Sequence, residues 1–167
     1  MNKNHRLTID ALGIALYVVL SMTIPIRVVG NYFLCLGYLI IVAYPYLFGP
    51  MDGMIVGFFG TALYCILVSS YNGMVGWVIG NTLIGYGLGV VFSHTKGRKH
   101  AYIIDNVMIV LLTAVAFLLI KPLIETVMFR IPYSLRVAAN MPAFIMDMIV
   151  MLVGYPITLY VQKMIKK

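Results

Sequence analysis

Residues 53–95 read GMIVGFFGTALYCILVSSYNGMVGWVIGNTLIGYGLGVVFSHT, with no Asp, Glu, Lys or Arg. A helix needs about 20 apolar residues, each rising about 1.5 Å, to cross about 30 Å of hydrocarbon. The stretch is too long for one crossing and about right for two. Ser69-Ser70-Tyr71-Asn72-Gly73 is the natural break, because Asn-Gly is a turn signal. Residues 28–51 are uncharged as well.

Composition says the same of the whole chain. Of 167 residues, 62% are hydrophobic and 10% charged, and the mean hydropathy is +0.99. A soluble domain carries charge on about a quarter of its residues, so this chain must show lipid an apolar outside. Six spans are predicted over roughly 8–25, 33–49, 51–71, 74–93, 102–121 and 139–162. The fold class is thus all-α, a polytopic six-transmembrane-helix bundle forming a single domain over residues 1–167. Phe48-Gly49-Pro50-Met51-Asp52-Gly53 is a tight turn between spans two and three. The runs are continuously apolar, whereas barrel strands alternate, so strands are not expected.

Lys3 and Arg6 precede span one, Lys96, Arg98 and Lys99 separate spans four and five, and Lys163, Lys166 and Lys167 follow span six. An even number of spans puts these eight of the twelve basic residues on one side. Arg27, Lys121, Arg130 and Arg136 fall on the other. The positive-inside rule then places both termini in the cytoplasm. The net charge of +7 follows from topology and not from nucleic-acid binding, because the cations sit at helix ends. No small-x-small cleavage site follows Ser21, so span one is read as a retained helix.

Missing residues narrow the chemistry. His5, His94 and His100 all fall on the cytoplasmic side, which argues against an intramembrane metal site or a Ser-His pair. Cys35 and Cys65 are far apart, and no phosphate loop is present. No catalytic residue, metal or cofactor is expected. Binding or transport fits better than catalysis.

Small residues mark helix-packing faces. Gly53, Gly57 and Gly60 do so in span three, and the pairs Gly76 with Gly80 and Gly85 with Gly89 in span four, where internal packing is the simplest role. Ala11 and Ala15 form such a face in span one.

Polar groups inside the membrane point to a site. Asp147 lies seven residues past Asn140, the expected start of span six, or roughly 10 Å of rise. A carboxylate there costs at least about 2.5 kcal/mol and usually faces a cavity or a partner. Asn81, Tyr64 and Tyr38 fall at matching depth below the outer ends of their spans. Together they suit a small polar ligand entering from outside; a purely structural pairing of Asp147 with another helix is the alternative. Trp77 and Tyr71 sit at the outer interface, where Trp77 is placed either to anchor or to stack on an aromatic ligand. Lys121 and Glu125, one turn apart at the outer end of span five, read as a helix-surface ion pair or a ligand contact. Arg27 with Val29-Gly30-Asn31-Tyr32 reads as a lid or an interfacial anchor.

Three local patterns carry a resemblance. Asp10-Ala11-Leu12-Gly13-Ile14-Ala15-Leu16 is similar to an Ala-xxx-Ala signature. Tyr46-Leu47-Phe48-Gly49-Pro50-Met51-Asp52-Gly53-Met54-Ile55-Val56-Gly57 is close to a Phe-Gly-Pro-x-x-Gly-x-x-x-Gly turn. Arg136-Val137-Ala138-Ala139-Asn140 leads into a last helix ending in lysines. With size and span number, these make the chain resemble the substrate-binding S component of an energy-coupling factor (ECF) vitamin transporter. The resemblance implies that the protein binds a vitamin near the extracellular surface. It implies as partners a membrane coupling subunit, contacted by Ala11 and Ala15, and two cytoplasmic ATPases. It implies a toppling motion that carries the pocket inward, and helices four, five and six with the first loop as the pocket lining. Overall similarity points to hydroxymethylpyrimidine or pyridoxine as the ligand, with folate, pantothenate, riboflavin and queuosine-precursor relatives open. Thiamine binders of the family use a pocket histidine, and none is available here. A self-sufficient carrier using Asp147 for ion coupling, and a membrane enzyme or scaffold, are the other classes; no inverted repeat or nucleophile-base pair favours either.

Overall fold

A computed structural model describes residues 3–23, 26–29, 32–68 and 74–165. Among them are six helices and one small hairpin. The elements are α1 (Lys3–Thr23), β1 (Ile26–Val29), β2 (Tyr32–Leu34), α2 (Tyr38–Phe48), α3 (Pro50–Val68), α4 (Met74–Thr95), α5 (Ala101–Phe129) and α6 (Tyr133–Ile165). All helices but α2 are long and apolar enough to cross a membrane. The chain is therefore an all-α, multi-pass membrane bundle. Its outside is apolar: Leu12, Val19, Phe59, Ile66, Ile103, Leu111, Ile149, Val153 and Ile157 are all exposed, as lipid requires.

The Gly-Pro turn works as its chemistry dictates. Gly49 takes φ 111°, which favours glycine, and its N–H caps α2 on the Pro45 carbonyl at 3.2 Å. Pro50 then opens α3, where its missing N–H costs nothing. Glycines set the helix spacing. A Cβ on Gly85 would collide with the backbone carbonyl of Gly53, one on Gly57 would come 2.5 Å from the Asn81 carbonyl, and one on Gly89 would strike Pro50. Gly76 and Gly80 lie against Lys121 and Ala116 of α5. Helix α4 is therefore central, with α3 on one glycine face and α5 on the other. The internal packing expected of these glycines is what the structure shows.

One end of the bundle gathers the N-terminal part of α1, the α2–α3 and α4–α5 turns and the C-terminal part of α6. Arg6 meets Asp52 there at 2.8 Å. The Thr95 and Tyr155 hydroxyls both donate to Asp105, Tyr46 donates to Gln162 Oε1 at 3.2 Å, and Lys96 donates to the Tyr46 carbonyl at 3.2 Å. With Arg98, Lys99 and Lys163 nearby in sequence, this is the basic end. The opposite end carries the hairpin.

Four boundaries differ from those the sequence predicts. Span two is predicted over 33–49, but helix α2 runs only from Tyr38 to Phe48. The first residues of the predicted span belong instead to a hairpin pairing Ile26 with Leu34 and Arg27 with Phe33. This strand pair departs from the all-helical expectation. Its residues are β-branched and aromatic around a Gly-Asn pair, which are hairpin formers. At 11 residues, α2 is only about 17 Å long. Span five is predicted to end at 121, but α5 reaches Phe129 through a π-helical turn at Val115–Ile120. Pro122 follows just past it, and the Tyr133 hydroxyl of α6 donates to the Leu118 carbonyl at 2.6 Å. Span six is predicted at 139–162, but α6 starts at Tyr133, after Pro132, and runs 33 residues to Ile165, about 50 Å. Arg136 and Lys163 do not end it, because a helix can outrun the hydrocarbon. Span one likewise begins earlier, at Lys3, and ends at Thr23.

Candidate ligand-binding site at the hairpin end

The site is built from the hairpin-side halves of α2 to α6. Trp77, on the first turn of α4, donates its indole N–H to the Tyr38 hydroxyl at 2.7 Å. Tyr38 donates to Asn81 Oδ1 at 2.9 Å. Asn81 Nδ2 donates to Thr61 Oγ1 at 2.8 Å and to the Tyr17 hydroxyl at 3.3 Å. Both protons and the oxygen of the Asn81 amide are thus engaged. Tyr64 meets the edge of Trp77 with ring centroids 5.6 Å apart.

A second group comes from α5 and α6. Glu125 is 4% exposed and accepts a hydrogen bond from Asn140 Nδ2 at 3.1 Å. Lys121 lies 4.0 Å and Arg136 3.9 Å from its two carboxylate oxygens. Lys121 and Glu125 face inward, not outward as a surface ion pair, and α5 continues beyond them to Phe129. The Lys121 ammonium also sits 5.6 Å from the centroid of Trp77 and 5.4 Å from that of Phe117. Phe117 in turn packs on Tyr38, centroids 6.1 Å apart. Lys121 therefore joins the two groups.

Asp147 lies beneath them, 3% exposed. It is 14 residues into α6 and not seven, since the helix starts at Tyr133. Its charge neighbour is Lys121, and the Tyr38 hydroxyl and the Cys35 backbone are its polar neighbours. Its Oδ1 has no hydrogen-bond partner, and neither have Arg136 Nε and Thr126 Oγ1 on the same two helices. A fourth unpartnered atom, Asp10 Oδ1, lies on α1 at the basic end, so three of the four such atoms among the described residues fall on α5 and α6 at the hairpin end.

The structure thus brings together Tyr38, Tyr64, Trp77 and Asn81, pairs Glu125 with Asn140, and sets Asp147 next to Lys121. Tyr71, Gly30 and Asn31 lie outside the described residues, and Arg27 is described only as a strand position. Tyr17, Thr61 and Phe117 belong to the site although the sequence alone does not single them out. Tyr17 is legible in principle, since it falls on the face of α1 opposite Ala11 and Ala15; Thr61 and Phe117 carry no such signal. Ala11 and Ala15 are exposed on the outside of the bundle.

Comparison with known proteins adds two findings. Residues 1–165 match the family model described as "ECF-type riboflavin transporter, S component". The fold superposes on a 2.1 Å crystal structure of "the S-component for biotin from an ECF-type ABC transporter" with a TM-score of 0.69, over 98% of this chain and 95% of that one. The two sequences are 18% identical, so this likeness is one of fold.

Proposed function

We infer the function from membership: the chain belongs to the ECF-type riboflavin transporter S-component family. We propose that it captures a small, flat heterocyclic vitamin or precursor at the hairpin end and delivers it through a membrane coupling subunit driven by two ATPases. It binds and hands over, and performs no catalysis. The observation that carries the reading is the convergence of an indole, two tyrosines, a buried cation and an unpartnered carboxylate oxygen at one end of the bundle. An aromatic ring suits the face of Trp77, and an N–H or O–H on that ring suits Asp147 Oδ1. Glu125 and Asn140 hold the α5–α6 wall. Asn81, whose amide is fully engaged, acts through Tyr38.

Hydroxymethylpyrimidine and pyridoxine offer such a ring with donors at its edge and are the first ligands proposed. Riboflavin, named in the family's description, offers an imide N–H and is the second. The basic end supports an orientation with both termini in the cytoplasm and the site facing out. The exposure of Ala11 and Ala15, on a helix whose Gly13 and Tyr17 face the core, supports their role in contacting the coupling subunit.

The test is calorimetric titration of the purified protein with these vitamins and with biotin. Tight one-to-one binding of one of them, weakened about 10- to 100-fold in Asp147→Ala, is the expected result. Failure of all four to bind contradicts the reading.

A further inference from the structure

The hydrogen bonds behind Trp77 do not stop at Asn81; they run on into α1. Tyr17 is fully buried, and its ring fills a slot between Gly60 of α3 and Gly37, where an added Cβ would come within 2.9 and 3.0 Å of it. Its hydroxyl accepts from Asn81 Nδ2 and from Thr61 Oγ1, each at 3.3 Å. The polar chain therefore reads Tyr17, Asn81, Tyr38, Trp77, with Thr61 bracing Asn81 and Tyr17 together. Tyr17, Thr61, Asn81 and Tyr38 all have 0% exposure. No water reaches them to replace a lost partner, so leaving one donor unpaired costs about 1–3 kcal/mol. The chain moves together or not at all.

We propose that Tyr17, braced by Thr61, is a positioning residue for the ligand site. Through Asn81 and Tyr38 it fixes the indole of Trp77. It also ties that ring to α1, the helix whose other face carries Ala11 and Ala15. This rests on the hairpin-end cluster being the ligand site. A displacement of α1 that withdraws the Tyr17 hydroxyl strands the Asn81 amide and releases Tyr38 and Trp77. By reciprocity, a ligand that holds Trp77 holds α1.

Trp77 is the single tryptophan, so its fluorescence reports on the far end of the chain of hydrogen bonds. The variants are Tyr17→Phe, which keeps the ring, and Thr61→Val, which keeps the shape. Thr113→Val is the control, because that buried hydroxyl is bonded within its own helix, to the Ile109 carbonyl at 2.6 Å. In the folded, ligand-free, full-length protein both network variants shift Trp77 emission and the control does not. Whichever of riboflavin, pyridoxine or hydroxymethylpyrimidine the wild type binds, the network variants bind it about three- to tenfold more weakly. If Tyr17→Phe fails to fold, Thr61→Val carries the same test. Emission like that of the control in the folded variants overturns the proposal. Wild-type protein that binds none of the three overturns the ligand-site reading instead, and the emission comparison then decides the fate of the hydrogen-bond chain by itself.

Discussion

Asp147 and Glu125 are both buried carboxylates at the same end of the bundle, yet they have opposite circumstances. Glu125 accepts a hydrogen bond from Asn140 and has two cations, Lys121 and Arg136, near 4 Å. Asp147 keeps one oxygen unpartnered. On the proposed reading the first holds structure and the second receives a donor from the ligand. Substituting Asp147 by Ala should therefore weaken vitamin binding by about 10- to 100-fold, the worth of one or two buried hydrogen bonds, with a smaller effect on stability than on binding. Titration and thermal unfolding of the same sample check both halves of that statement. Glu125→Gln should do the reverse, lowering stability by about 2 kcal/mol. That is less than a fully buried pair would lose, because Arg136 is a quarter exposed and both contacts are near 4 Å. Thermal unfolding in detergent, compared with wild type, measures it.

Among the elements, α4 sets the tolerances. Gly53 and Gly85 bring two backbones together, and neither backbone can give way. Gly85→Leu should destabilise the bundle by about 3 kcal/mol or more. Gly97→Ala has open space around it and suffers only from its φ of 90°, at a cost of about 1–2 kcal/mol. Unfolding temperatures of the two variants should separate accordingly. The helices and their order are legible in the sequence because hydropathy, glycine spacing and the Gly49-Pro50 turn are all local signals. Their ends are not. Helix α5 continues through a π-helical turn, and the Tyr133 hydroxyl reaches the Leu118 carbonyl there, a contact between two helices that no local pattern announces. The early start of α6 lies in a segment whose charge resembles a loop. Candidate site residues are legible where a polar group interrupts an apolar run, as Asn81 and Asp147 do. Tyr17 and Phe117 are hidden because an aromatic residue in a membrane helix looks like any other core residue until its partners are known.

The whole molecule has two unlike ends and one unlike face. The basic end holds the Arg6–Asp52 ion pair and the Asp105 hydrogen bonds, the hairpin end holds three of the four unpartnered buried polar atoms among the described residues, and α1 turns Ala11 and Ala15 outward. Binding and hand-over should therefore separate. Ala15→Trp should leave vitamin binding by the purified protein unchanged and abolish uptake in cells that contain the coupling subunit and ATPases, because a bulky ring keeps another helix from approaching. Uptake at the wild-type rate would remove Ala15 from the docking face.

The central claim is that a vitamin is held at the hairpin end against Trp77. Titrating the wild-type protein with hydroxymethylpyrimidine, pyridoxine and riboflavin while following Trp77 fluorescence tests it most directly. One of them should change the emission saturably at one equivalent, and in Asp147→Ala the same change should need about 10- to 100-fold more vitamin. A vitamin that binds tightly by calorimetry yet leaves Trp77 emission untouched would place the site elsewhere and contradict the account.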